Sequence, residues 1–435
     1  MIKMNEKSNI ENLEISNELS TYMHGIIDKI INEAGCRIPC SKNEQKGAEI
    51  VANEMKEICD EVDIEEFEIA PKAFLDWIRI DVIIVLISFG LFFISNSISI
   101  NEIRILLYAI SMIIIVAGVV IMWFEFFNYD EFIDRLFKKK KSQNVIGKIK
   151  PKGELKRIII FSGHIDSAIR FNLLQYLHYG YPIVSFLGLF SFIIWSIVSI
   201  INFIFSLIGR FGVFNEFALW LFIIALPAII ALFFFIPLSE KESNTVPGAV
   251  DNLSAIAIIL GLGKYIKKNP QIVPPNTEIR LIGFGCEEAG LRGAYRYVEK
   301  HYDELKKFDA IDVNLDGIQD PNSLKIMVFE PTTRTKHCKE LAEKLYKASK
   351  DVNIKASIMG DEFLDKFIGL ISGGTDAAGF SKVKLKGITI VGMNYFDSAK
   401  FYHQTTDIHS WIKPNALENT LKLLIKFLDN EKENN

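Results

Sequence analysis

The sequence predicts an α/β protein with a mostly parallel central sheet flanked by helices, joined to four transmembrane helices arranged as two hairpins. Short apolar runs alternate with helical patterns through the polar parts of the chain. Four longer apolar runs contain no charged residue. The 435 residues are 49% hydrophobic with a mean hydropathy of +0.21, which is too apolar for an ordinary soluble protein of this length. Phenylalanine, at 33 copies, gathers in a few apolar blocks instead of spreading over amphipathic elements.

Residues 1–20 are polar and acidic and lack a basic region followed by an apolar stretch and a small-residue cleavage site, so no secretion signal is expected. In segment 44–60, Ala48, Val51, Met55 and Ile58 recur at helical spacing with Glu and Lys opposite, which predicts a helix. Runs 82–98 and 105–124 are each long enough to cross about 30 Å of hydrocarbon. They form the first hairpin, turning at 99–104. Runs 182–209 and 217–238 form the second, turning at 210–216. A buried core helix of this length usually keeps a polar stripe, and VIIVLISFGLFFIS has none. Strands are expected at 145–149, 157–163, 278–285, 310–315 and 387–392, with helical patterns at 252–268, 290–306 and 334–349. That alternation is the signature of a parallel sheet covered on both faces. Each hairpin returns the chain to the side it left. Segments 1–77, 126–180 and 239–435 are therefore expected to form one discontinuous domain, interrupted by hairpins at 78–125 and 181–238.

Charge sets the expected orientation. Arg79, Arg135 and Lys138 to Lys141 flank the spans on the side of the large domain, whereas the opposite loops hold only Arg104 and Arg210. By the positive-inside rule the domain lies in the cytoplasm of a four-span protein of the cell membrane, with the lipid bilayer as a partner. Five cysteines, an odd number without zinc-finger spacing, suit a reducing compartment and packing roles. A net charge of −4 and a pI near 6.1 offer no basic surface, so nucleic acid is not an expected partner. Nothing in the sequence fixes an oligomeric state.

In an open α/β sheet, ligands gather at the carboxyl ends of the strands, and this chain concentrates carboxylates and histidines there. Residues Gly163-His164-Ile165-Asp166 end one strand, Cys286-Glu287-Glu288 another, and Asn314-Leu315-Asp316-Gly317 a third. Asp251-Asn252 opens a helix after Pro247-Gly248-Ala249, and Tyr402-His403-Gln404-Thr405-Thr406-Asp407 follows the last strand. A lone histidine at a strand end is more often a hydrogen-bonded core residue, but five such sites on one sheet edge are hard to assign to packing. Two imidazoles and three carboxylates supply three ligands to each of two divalent metals if one carboxylate bridges, and this donor set suits zinc. A further carboxylate beside the pair can take a proton from water.

At these residues the sequence resembles the di-zinc aminopeptidase family of the zinc-exopeptidase clan, which includes leucyl aminopeptidases, aminopeptidase Y and glutamate carboxypeptidase. GHIDS at 163–167 looks like its His-x-Asp motif, GAVDNLSA at 248–255 its bridging-Asp motif, CEEAGLRGA at 286–294 its Glu-Glu motif, NLDG at 314–317 its second Asp, and YHQTTD at 402–407 its final His. The resemblance extends to a helix before the first strand that carries Arg37-Ile38-Pro39.

The resemblance implies a zinc-exopeptidase fold, two zinc ions and a peptide substrate cleaved after its N-terminal residue by a metal-bridging water. One zinc would be held by His164 and Asp316 and the other by Glu288 and His403. Asp251 would bridge them, Glu287 would be the general base, and Asp166 would orient the His164 side. It also implies a cis peptide bond at Asp251-Asn252. Gly374-Thr375-Asp376 departs from the family's usual Ser-Asp-His, and Gly-Ile-Gln-Asp follows Asp316 where Met-Ile-Gly is usual. The two hairpins are the largest departure, yet both fall between motifs.

Three other readings share these features: a glutaminyl-cyclase-like transferase with one zinc, a receptor or scaffold on the same fold, and a transporter. The intact ligand set argues against the second, and the absence of charge from the four runs argues against the third. His24, His178, His301, His337 and His409 have no carboxylate partner at ligand spacing and are expected to be structural. Cys286 is expected to be a packing residue, because adjacent carboxylates oppose thiolate formation.

Overall fold

Strand β3 (Arg157–His164) shows in miniature how the sheet forms. Its apolar residues alternate between two layers: Ile159 and Phe161 join one buried cluster, and Ile158 and Ile160 join another on the opposite face. The computed structural model describes residues 13–239, 244–360 and 373–433. The polar N-terminal twelve residues, which bear on the expected lack of a secretion signal, lie outside them. The chain divides into two compact units. One comprises residues 1–71, 139–170 and 240–435, and the other 72–138 and 171–239.

The first unit opens with helices α1 (Asn17–Ala34) and α2 (Lys42–Lys56) and strand β1 (Glu61–Ile69). Strands β2 (Lys140–Ile149) and β3 (Arg157–His164) follow in its second segment. The other strands of the large sheet are β4 (Thr277–Phe284), β5 (Ile311–Ile318), β6 (Leu324–Met327), β9 (Ala356–Met359) and β10 (Lys386–Gly392). A small hairpin pairs β7 (Phe329–Glu330) with β8 (Thr335–Lys336). The eight-stranded sheet runs in the order β1-β2-β4-β3-β5-β10-β6-β9. Its four central strands, β4, β3, β5 and β10, are mutually parallel, so their carboxyl ends share one edge. Antiparallel pairing enters at β1, β2 and β6. Helices α8 (Ser254–Lys268) and α10 (Lys339–Asp351), with the C-terminal helix Ala416–Glu433, contribute to the larger buried cluster, and α9 (Arg292–Lys307) packs into the smaller one.

All five expected strands and the helices at 252–268, 290–306 and 334–349 are present, within a few residues at most ends. One expectation needs correction. Arg37-Ile38-Pro39 is not carried on a helix but lies in the turn between α1 and α2, because Ser41 caps α2 by accepting the Glu44 N–H and the helix starts only after it.

The second unit contains α3 (Ala73–Asn96), α4 (Asn101–Met122), α5 (Asn172–Leu177), α6 (Tyr181–Leu207) and α7 (Asn215–Phe233). Its interior joins aromatic rings and small hydroxyls: Trp195 stacks on Phe89 at 3.8 Å, and its Nε1–H donates to Ser88 Oγ at 2.9 Å, which in turn meets Ser111 Oγ. Small and hydroxyl-bearing residues at such contacts let long helices approach closely. Its outer surface shows large apolar side chains, among them Ile83, Ile87, Ile113, Ile204, Trp220 and Ile224. Helix α3 begins well before the uncharged run and so includes Asp76, Arg79 and Asp81 in its first turns; Arg79 pairs with Asp76 at 2.5 Å, and Asp81 is buried.

Among the described residues, five helical stretches are long and apolar enough to cross a membrane. Four belong to this second unit and bury 22–39% of their apolar window. The fifth, Ala249–Lys268, is 89% buried within the first unit, where its apolar residues form part of the core.

Candidate metal centre

The parallel strands deliver the polar residues to one place. His164 is the last residue of β3 and pairs in register with Phe284 of β4, so the Glu287 and Glu288 loop leaves the sheet beside it. Asp316 lies near the end of β5, while Asp251 comes from the turn before α8 and His403 from the loop after β10. Asp251 Oδ1 stands 3.2 Å from His164 Nε2 and its Oδ2 stands 3.2 Å from His403 Nε2. Glu288 Oε1 is 3.3 Å from His403 Nε2, and Asp316 Oδ1 is 4.0 Å from His164 Nε2. Glu287 Oε2 lies 3.7 Å from His164 Nε2. All six side chains are thus brought together, with one carboxylate facing both histidines.

His164 Nδ1 lies 3.1 Å from the Asp166 carbonyl oxygen, which can only accept. Nδ1–H therefore donates to that oxygen, which leaves Nε2 as the nitrogen that faces the carboxylates and would serve a metal. The carboxylate of Asp166 does something the sequence does not reveal: Oδ1 accepts the Glu287 N–H at 3.1 Å and Oδ2 the Glu288 N–H at 3.0 Å. Asp166 thus fixes the backbone of the Glu-Glu pair, and its carboxylate lies farther from His164, at 3.5 Å.

Other supporting residues were not legible as such. Asp407 accepts the N–H groups of Val250 and Asp251 at 2.9 and 3.1 Å, fixing the bridging segment. Asn252 ties that segment to β5, donating to Leu315 O and accepting Gly317 N–H. Arg37, fully buried, donates through Nε to Ile165 O at 2.7 Å and through a terminal nitrogen to Gly248 O, while its N–H donates to Ser167 Oγ. Gly248, at φ +66, has no room for a side chain: a Cβ there would stand 2.6 Å from Asp251 O. The Asp251-Asn252 peptide bond is cis.

The electrostatics are those of concentrated negative charge. Burial disfavours protonation of His403, but Glu288 and Asp251 outweigh it and push its pKa up to about 10. Burial likewise opposes protonation of His164, and Glu287, Asp166 and Asp251 overcome it. Burial and neighbouring carboxylates push Asp316 up to about 8 and hold Glu287 well above the ordinary carboxylate range. Asp251, between two histidines, is held below that range despite its burial. Four carboxylates at one point therefore rely on the imidazoles for compensation. Two divalent cations would balance them, and acceptor oxygens with imidazole lone pairs are the donor set zinc takes. The residues fit that metal.

The remaining histidines correct the sequence reading. Four of them do have carboxylate neighbours, brought from elsewhere in the chain: His301 with Glu65, His337 with Glu330, His409 with Asp28, and His24 with Glu418. Cys286 is buried against Ile69 and Ala289, and burial raises its thiol pKa well above the ordinary value.

Asp166→Ala is expected to weaken zinc binding by about 10- to 100-fold, the usual cost of losing a group that orients a ligand. Competition with a chromophoric chelator measures it; unchanged affinity in a folded variant would remove Asp166 from the centre.

Residues 238–428 match the family model described as Peptidase family M28. The aminopeptidase YwaD of Bacillus subtilis (strain 168) is 39% identical over 72 residues, which is 17% of this chain and only 15% of that relative's length. Among solved structures, BSAP, a zinc aminopeptidase from Bacillus subtilis, superposes with a TM-score of 0.52 at 14% identity, covering 95% of both chains. An aminopeptidase from Aneurinibacillus sp. strain AM-1 gives 0.51 at 14% identity, covering 94% of this chain and 92% of that one. An Acidobacteriales bacterium glutaminyl cyclase gives 0.53 at 12%, covering 98% of each. These likenesses show the fold, the zinc-exopeptidase architecture of a mixed, mostly parallel sheet between helices.

Proposed function

We propose that this chain, whose residues 238–428 match Peptidase family M28, is a membrane-anchored di-zinc aminopeptidase that hydrolyses the N-terminal peptide bond of peptides. The observation that carries the reading is the bridging geometry of Asp251, whose two oxygens each stand 3.2 Å from the Nε2 of a different histidine. On this reading His164 and Asp316 would hold one zinc, Glu288 and His403 the other, and Asp251 would serve both. The bound metals supply Lewis-acid polarisation of the scissile carbonyl and charge stabilisation as the reaction proceeds.

The chain's own residues supply the rest. Glu287 is positioned by Asp166 through its backbone, and its side chain lies beside His164. It accepts a proton from the attacking water and returns it to the leaving amine. Asp407, Asn252 and Arg37 keep the bridging segment fixed, so that ligand positions are set before substrate arrives.

Metal analysis of the purified protein, combined with amino-acid release from a peptide library, tests the proposal. About two zinc ions and stepwise release from the N-terminus are expected. One zinc and cyclisation of an N-terminal glutamine would replace it with the cyclase reading.

The membrane part rests on the four apolar helices of the second unit and on their exposed isoleucines and tryptophans. The lysine and arginine asymmetry supports a cytoplasmic catalytic unit. Single cysteines placed at Ser99 and Lys140, treated in intact cells with an impermeant thiol reagent, are expected to label at 99 and stay protected at 140. The reverse pattern would invert the topology.

A further inference from the structure

Two cysteines meet behind the Glu-Glu loop. Cys40, in the turn before α2, and Cys286, just past β4, bring their Sγ atoms to 3.5 Å. Cys286 is fully buried, whereas Cys40 is partly exposed. Both have left-handed backbone, with φ of +60° and +55°, a conformation that glycine adopts freely and a residue with a Cβ adopts at a cost. A side chain retained at both of two facing left-handed positions directs attention to what the side chains do together.

One carboxylate holds the pair in place. Glu44 Oε2 accepts the Cys40 N–H at 2.7 Å, and its Oε1 accepts the Cys286 N–H at 2.9 Å. The same Oε1 lies 3.4 Å from Cys286 Sγ. The turn that carries Cys40 also carries Arg37, which grips the strand end at Ile165 and the bridging segment at Gly248. On the other side, Cys286 is followed directly by Glu287 and Glu288. The thiol pair therefore connects two segments that both belong to the framework of the metal centre.

We propose that Cys40 and Cys286 form a reversible dithiol–disulfide pair, closed by a disulfide oxidant of the glutathione class, and that closing it weakens the metal centre; the second half rests on the metal-centre reading above. The partly exposed Cys40 thiolate attacks a sulfur of oxidised glutathione, the glutathione S–S bond breaks, and one glutathione thiolate leaves. Cys286 then gives its thiol proton to Glu44 Oε1, 3.4 Å away, as its sulfur attacks the Cys40 sulfur of the mixed disulfide and expels the second glutathione. Two protons and two electrons pass from the cysteines to the oxidant, which is reduced to two thiols. Drawing the sulfurs from 3.5 Å to bonding distance pulls Cys286 toward the turn. Its next two residues give their N–H groups to the Asp166 carboxylate, and a shift of Cys286 carries along the backbone to them.

The test uses the full chain loaded with zinc and exposed to oxidised glutathione. Peptide mapping by mass spectrometry is expected to find a Cys40–Cys286 disulfide. Zinc affinity, read by a chromophoric chelator, is expected to fall about 10-fold and to return on adding dithiothreitol. Cys40→Gly, which suits the left-handed backbone and removes one thiol, should bind zinc like the native protein and ignore the oxidant. Absence of that disulfide, its formation without loss of zinc affinity, or continued oxidant sensitivity in Cys40→Gly would each overturn the proposal. A reduced protein that binds no zinc would fail the metal-centre reading and the weakening with it, whereas zinc bound without disulfide formation fails the redox pair alone.

Discussion

Glu287→Gln is expected to lower kcat for release of N-terminal residues by about 10²- to 10⁴-fold, the range for loss of a positioned general base, while zinc content stays unchanged. The substitution keeps the side chain's size and leaves its backbone N–H on Asp166. It removes only the capacity to accept a proton. Of the two adjacent glutamates, Glu288 lies 3.3 Å from His403 Nε2, close enough to share a metal with it. Glu287 faces the other histidine, 3.7 Å from His164 Nε2. In the metal-free site, burial, with Glu288, Asp376 and Asp316 nearby, raises the affinity of Glu287 for a proton. Metal analysis and single-turnover kinetics on the same preparation separate the two roles. If the variant loses metal and excess zinc restores turnover, Glu287 and Glu288 have exchanged places.

The parts of this arrangement that the sequence reveals are the local ones. Strands β3, β4, β5 and β10 are short β-branched and apolar runs bounded by polar residues, and each motif sits within a few residues of a strand end, so spacing alone places it. Strand β1 is not legible in the sequence, because EVDIEEFEI has the pattern of a charged surface segment. It pairs only with β2 at the sheet edge, where acidic side chains discourage pairing with other chains. Helix α1 and the C-terminal helix carry ordinary amphipathic patterns with no motif to mark them, and β6 and β9 are too short to stand out.

The supporting residues are a harder case. Arg37 reaches Ile165 across 128 positions, Glu44 reaches Cys286 across 242, and Asp407 reaches Val250 across 157. No local pattern encodes such pairings. Asp407 sits at the end of the YHQTTD segment and is the one of these that a strand-end argument could have flagged. The same limitation explains the histidines: His301 and Glu65 are 236 residues apart in sequence, yet lie 2.9 Å apart.

Asp251→Ala is expected to abolish binding at both metal positions, with each affinity reduced more than the roughly 100-fold upper cost of an outer-shell change. Asp316→Ala, by contrast, should weaken chiefly the position shared with His164. The difference follows from the two 3.2 Å contacts of Asp251, since removing it takes an oxygen from both histidines at once. Titration adds an independent check on metal-free protein. His403 is raised from 6.5 to about 10 by Glu288 and Asp251 against the opposing effect of burial. A group with a raised folded pKa contributes stability that is fully present below its unfolded pKa and is lost as pH rises through the folded one. Metal-free native protein should therefore lose this contribution between about pH 6.5 and 10. In Asp251→Ala the His403 pKa falls, so the loss over that window shrinks. Zinc must also displace the His403 proton at neutral pH, and calorimetry in buffers of different ionisation enthalpy should show proton release on binding. Two metals bound to Asp251→Ala with native affinity, and an unchanged pH dependence of stability, would mean that Asp251 does not bridge.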